Sequence, residues 1–126
     1  MAVSETQHLY LWRHKIVMPD DNIVTRTCFG ITGNLDNRRN GYEGHVGHDV
    51  VFERVWIGPY RPIKDLEDHI KSEFHDYLFV GHRNFKYEWI NETIPFDQVA
   101  GWIDWELKDH PSITEYQNGP EPIKTI

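Results

Sequence analysis

The stretch from His8 to Ile31, HLYLWRHKIVMPDDNIVTRTCFGI, constrains the fold of this chain more than any other. HLYLWRH alternates aromatic and aliphatic residues with period two, the pattern of a strand. MPDDN supplies Pro19 and an Asp/Asn cluster, the chemistry of a turn. IVTRTCFGI, Ile23 to Ile31, reads as a second strand, so the two segments are expected to form an antiparallel hairpin.

The elements after the hairpin follow from spacing. Asn34 is placed to cap a short helix, with Gly41 as its expected stop. HDVVFERVWIG, His48 to Gly58, reads as a third strand. Pro59 and Pro62 break the chain before an amphipathic helix, expected from Pro62 to Tyr77. Its Ile63, Leu66, Ile70, Phe74 and Tyr77 follow helical apolar spacing. An extended piece, FKYEWI, leads to Thr93 as a cap, Pro95 in a first turn, and a helix carrying Phe96, Val99, Ala100, Ile103 and Leu107. From Pro111 the chain loses periodicity. The expected fold is α/β (α+β): a small, mostly antiparallel three-stranded central sheet flanked by helices. Residues 1–110 would form the domain and 111–126 an extended or flexible tail.

At 126 residues the chain suits one packed domain, and its 39% hydrophobic content argues against disorder. No apolar run approaches the roughly 20 residues of a membrane span. MAVSETQHLY lacks the basic start and apolar core of a signal peptide, and the single cysteine suits a reducing compartment. An intracellular, cytoplasmic protein without membrane contact is expected. The net charge of −7 argues against simple electrostatic capture of nucleic acid. That acidity lies in the second half: the chain carries a net +1 up to Lys64 and −8 from Asp65 onward. Arg13, Arg26, Arg38, Arg39, Arg54 and Arg61 all fall in the first half, so a local positive face is compatible with the total.

CFGITGNLDNRR, Cys28 to Arg39, raises the question of chemistry. A strand feeding a helix N-terminus presents free N–H groups to an anion, and an arginine one turn later adds a bidentate fork for phosphate oxygens. Taken alone, Arg38 and Arg39 read equally as a solvated helix face. Carboxylates suited to a hard cation flank the apolar stripe of the Pro62–Tyr77 helix, with Glu67 on one margin and Glu73 on the other. Periodicity does not choose between them.

The order of short motifs resembles the GIY-YIG nuclease superfamily. Leu9-Tyr10 matches the hydrophobic-tyrosine of the first signature, with His8 in place of its glycine. Phe29-Gly30 matches the end of the second, with Cys28 where the family has tyrosine. Thr32, Asn34, Leu35 and Arg38 match the run that follows. Leu66-Glu67 matches the helix bearing the family's metal-binding glutamate, and Tyr87-Glu88-Trp89-Ile90 is similar to a segment following that helix in one branch. The resemblance implies a metal-dependent DNA endonuclease using one divalent ion, usually Mg2+, with Mn2+ as the substitute. Carried over by position, Glu67 would ligate the metal, Arg38 would bind the scissile phosphate, and Tyr10 would position or deprotonate the attacking water. Tyr42, four residues after Arg38, stands where the family has histidine or tyrosine near that water. Arg39, Arg26 and His45 complete the expected substrate-binding set. DNA is the expected partner. A homodimer or a protein partner would have to supply any sequence preference that loops do not.

Three other features have plainer readings. Cys28 has no base at a telling spacing and reads as a small buried strand residue. His45 and His48 have ligand-like spacing but lie in a predicted loop without a second ligand pair. Trp102 and Trp105 are better suited to a core edge or an interface than to stacking on bases.

Overall fold

The computed structural model describes residues 5–80 and 88–116. The first four residues, the Phe85–Tyr87 part of FKYEWI and the chain after Tyr116 lie outside the described residues. The hairpin forms as β1 (Thr6–Val17) and β2 (Ile23–Thr32). Its turn closes through Met18 N–H to the Asn22 carbonyl at 2.7 Å, with Asp21 at φ 69°, a conformation aspartate tolerates. Helix α1 (Leu35–Val46) follows, then β3 (Arg54–Pro59), α2 (Tyr60–Glu73), β4 (Leu78–Val80), β5 (Glu88–Ile90), α3 (Phe96–Glu106) and β6 (Thr114–Glu115).

The sheet has six strands in the order β4-β5-β2-β1-β3-β6, and every pairing is antiparallel. The expected three-strand sheet is therefore only its centre, β2-β1-β3. The short strands β5 and β4 extend one edge and β6 the other. β5 is the end of the extended piece FKYEWI, whereas β4 and β6 carry too little alternation to read as strands, and backbone pairing with a neighbour makes them so.

Period-two alternation in β1 divides the core. Leu9 and Leu11 point to one face, where Phe29, Trp56, Ile63, Leu66, Ile70, Phe96, Val99 and Ile103 gather beneath α2 and α3. Tyr10 and Trp12 point to the other, with Cys28, Tyr42, Val50, Phe52 and Val55. Apolar packing on both faces makes β1 a buried central strand. Leu66 is fully buried in the first layer, so truncation to alanine costs about 2–5 kcal/mol.

Several expected boundaries are corrected. Asn34 does cap α1, accepting from Asn37 N–H at 3.0 Å. The helix then runs through Gly41 and stops at Gly47, which takes φ 79° and donates to the Glu43 carbonyl at 2.9 Å. His45 is thus helical rather than in a loop. The third strand begins at Arg54, not His48: Val50 N–H is taken by the Glu43 carboxylate and Glu53 N–H by the Leu11 carbonyl, both at 2.9 Å. Helix α2 starts two residues before Pro62 and ends at Glu73, leaving Tyr77 in a separate 3-10 turn. Pro95 itself is the N-cap of α3, and Thr93 makes no cap bond. Residues 111–116 belong to the fold. Ile113 is buried in the first core layer and Thr114–Glu115 pair with β3. Gly58 permits this, because a Cβ there would meet Ile113 Cγ1 and the Ser112 carbonyl oxygen at 3.1 Å. Arg54 clamps the strand, donating to Glu115 at 2.6 Å and to Asp104 of α3 at 2.9 Å.

Candidate active site

Tyr10 lies mid-strand in β1, on the face that α1 covers. The hairpin sets it opposite Gly30, each ten residues from the Asp20 turn centre. Its ring reaches across to β2, and its hydroxyl hangs over Gly30. A Cβ at Gly30 would lie 2.9 Å from Tyr10 Cζ and closer still to the hydroxyl. Glycine is required there by this close approach. Phe52 stacks on the other side of the Tyr10 ring at 4.3 Å between centroids, fixing its plane.

Arg38 and Tyr42 come from α1. Spaced by four, they share the helix face that turns to the sheet. An Arg38 Nη1–H donates to the Tyr10 hydroxyl at 2.8 Å, joining residues 28 apart in sequence. The Tyr10 and Tyr42 hydroxyls share a hydrogen bond at 2.5 Å. Three of the four residues singled out by resemblance are thereby in one hydrogen-bonded chain. Burial pushes the Tyr10 phenol well above its ordinary value near 10, reinforced by Tyr42 and only partly opposed by Arg38. Burial raises Tyr42 as well, against the pull of Tyr10 and Arg38. Both phenols are therefore protonated at neutral pH and act as hydrogen-bonding groups, not as bases. For Arg38, burial disfavours the cation, but Tyr10 and Tyr42 outweigh it and hold the guanidinium protonated.

Glu67 does not join this chain. It sits on α2, whose apolar residues pack on the opposite face of the sheet. Its carboxylate is 5% exposed and faces two ammonium groups at one oxygen, Oε1: Lys64 at 3.1 Å and Lys71 at 4.0 Å. Lys71 also binds Glu88 at 3.0 Å, and Glu88 is paired in the sheet with Phe29. Glu67 and the Tyr10–Arg38 pair thus lie on opposite faces of the same stretch of β2, Phe29–Gly30. Glu73, the other candidate carboxylate, is exposed at the end of α2.

The remaining expected residues are dispersed. Arg39 turns back to Asp36 at 2.9 Å. Arg26 is stacked 4.1 Å over the Trp89 ring and paired with Glu92 at 3.2 Å, near the middle of β2. His45 is exposed near the end of α1. Cys28 is buried below Tyr42, and burial pushes its thiol far up despite Arg26, which removes it as a nucleophile. Trp102 closes a core edge against Phe74, while Trp105 is exposed beneath the Lys108 ammonium. In the sequence Gly30 enters only as the end of the second signature. The hairpin register, which sets it opposite Tyr10, was the signal for its other role. Phe52 carried no such signal, since its contact depends on the path between α1 and β3.

No known family model matches the chain, and no curated protein or solved structure matches it. Among the described residues, no helix is long and apolar enough to cross a membrane.

Proposed function

We propose that the protein is a GIY-YIG-like endonuclease that hydrolyses DNA phosphodiester bonds. The observation that carries this reading is the Arg38–Tyr10–Tyr42 chain: a half-buried guanidinium oriented by two protonated phenols. Arg38 donates to Tyr10 and is also hydrogen-bonded to Tyr42, and the N–H groups that remain are suited to phosphate oxygens. Its charge would neutralise the scissile group as negative charge grows on it. Tyr10, fully buried, accepts from Arg38 and shares one bond with Tyr42, so the pair would hold the guanidinium in place for the phosphate.

Glu67 fits the donor chemistry of a hard divalent cation: a shielded carboxylate whose present counter-charges are two lysine ammoniums. It would hold Mg2+, or Mn2+ in its place, on the α2 side of the sheet, across from Arg38, and a bound ion would supply charge stabilisation to a phosphate that reaches that side.

Incubation of supercoiled plasmid with the purified protein and Mg2+ tests the reading. Nicking by the parent, abolished in Arg38→Ala and Glu67→Ala variants that remain folded, is the expected result. The raised phenols leave no base of neutral pKa within the Arg38–Tyr10–Tyr42 chain. This favours one rival, a nuclease-fold module that binds DNA or a protein partner with little turnover. Salt-sensitive DNA binding without nicking would select the rival over the enzyme. Absence of DNA binding would move the role to a protein partner.

A further inference from the structure

On the far side of α2, a second group of polar side chains converges independently of the Arg38 chain. His69 lies two residues after Glu67, about 200° around the helix. Its Nδ1 is 3.3 Å from Oε1 of Glu106, on the last turn of α3. His110, four residues beyond Glu106, places Nε2 3.6 Å from the same oxygen. The three ligand atoms all lie within 4.8 Å of one another. Glu106 and His110 are largely buried, at 13% and 11% side-chain exposure, and His69 closes the group from the solvent side at 54%. His110 Nε2 is buried without a hydrogen-bond partner, a condition that costs free energy unless something binds there.

We propose that His69, Glu106 and His110 form a zinc site that ties α2 to the end of α3. Zinc bonds of about 2.0–2.2 Å to imidazole nitrogen and carboxylate oxygen imply tetrahedral ligand–ligand edges of about 3.3–3.6 Å. Two edges already have that length, and the third needs His69 and His110 to close together by a side-chain rotation of the exposed His69. Two neutral imidazoles and one carboxylate are a donor set suited to Zn2+ rather than Mg2+ or Ca2+. The ion would occupy the side of Nε2 that now faces no partner and would replace the long Glu106–His110 contact with two short bonds. The solvent side of His69 leaves room for water as fourth ligand. Because α2 also carries Glu67, such a clip would stiffen the helix on which the proposed Mg2+ ligand stands.

Calorimetric titration of the purified 126-residue chain with Zn2+ alone tests the site. One equivalent is expected to bind and to raise the melting temperature. Loss of a ligand should weaken binding about tenfold or more, since even loss of a residue behind a ligand costs that much. His69→Ala is the primary variant because its exposure makes folding secure, and Glu106→Gln is the second. His75→Ala, removing an exposed histidine elsewhere, should bind as the parent does. Absence of stoichiometric binding overturns the proposal. So does binding that survives His69→Ala and Glu106→Gln, or binding lost in His75→Ala.

Discussion

Gly30→Ala probes the geometry on which the Arg38 chain depends. Gly30 has no positive φ, so the backbone accepts alanine without strain. Where a site is compatible, Gly→Ala stabilises by about 0.4–1 kcal/mol through the unfolded chain. Here the new methyl would press into the Tyr10 hydroxyl and lie 2.9 Å from Cζ. The ring cannot retreat freely, because Phe52 stacks behind it at 4.3 Å. Overpacking of this kind costs about 1–3 kcal/mol, leaving a net loss of about 1–2 kcal/mol. Tyr10→Phe alone removes the acceptor from Arg38, a bond to a charged group worth about 1.5–3 kcal/mol. In the Tyr10→Phe background the clash with the hydroxyl is gone and the 2.9 Å approach to Cζ remains. Gly30→Ala should then cost less than in the parent. Urea unfolding of the four proteins, extrapolated linearly, reads the cycle. A coupling of up to about 1–2 kcal/mol is expected. Equal cost of Gly30→Ala in both backgrounds would refute the placement of the hydroxyl over Gly30, and with it the orientation of Arg38.

Three further outcomes follow from titrating groups in the same layer. Alkaline spectrophotometric titration should leave two of the six tyrosines, Tyr10 and Tyr42, unionised through pH 10 until the fold opens. The native state holds their protons more tightly than the unfolded chain does, so stability should fall as pH rises beyond about 10. His14 shifts the opposite way: burial, then His48 and Arg26, pull it below its ordinary 6.5. The unfolded state binds the proton first, so stability is greatest above pH 6.5 and falls as acid takes the pH below it. His14→Gln should flatten that slope in urea titrations between pH 7 and 5, and an unchanged slope would exclude His14 as its source. Cys28 should resist a thiol reagent in the native protein and react at once in denaturant; rapid native reaction would contradict its burial.

The hairpin was legible because turn chemistry and alternation agree over its whole length, and the Asn34 cap because its side chain acts locally. Other features depend on distant partners. Gly41 looked like a helix stop, yet a Cβ there would meet nothing, and α1 continues because Tyr42 and Val46 must reach the second core layer. Pairing of Thr114–Glu115 rests on Gly58 and Arg54, more than fifty residues earlier, so nothing local marks it. Tyr10, Arg38 and Tyr42 were found through motif order, and their contact follows from the hairpin register and one helical turn. Glu67 was found in the same way, but neither periodicity nor motif order could place it relative to a sheet face.

That placement is the step on which the functional reading turns. Tyr10 and Arg38 occupy one face of β2 at Gly30, and Glu67 reaches the other through Lys71 and Glu88 at Phe29. Strand β5 covers β2 at Thr27, Cys28 and Phe29, and among the described residues it pairs no further. Gly30, next along β2, has no side chain, and the Tyr10 hydroxyl lies over it. A phosphate bound by Arg38 would therefore lie on the α1 side of the sheet and an ion held by Glu67 on the α2 side. The acidic second half then has a physical place in the scheme. Lys64 and Lys71 pair with Glu67, and Lys71 also with Glu88, so these acidic groups stand beside cations of α2. Among the described residues Arg38 bonds to neutral phenols and to no carboxylate, so its charge would remain free for the phosphate of the proposed reading.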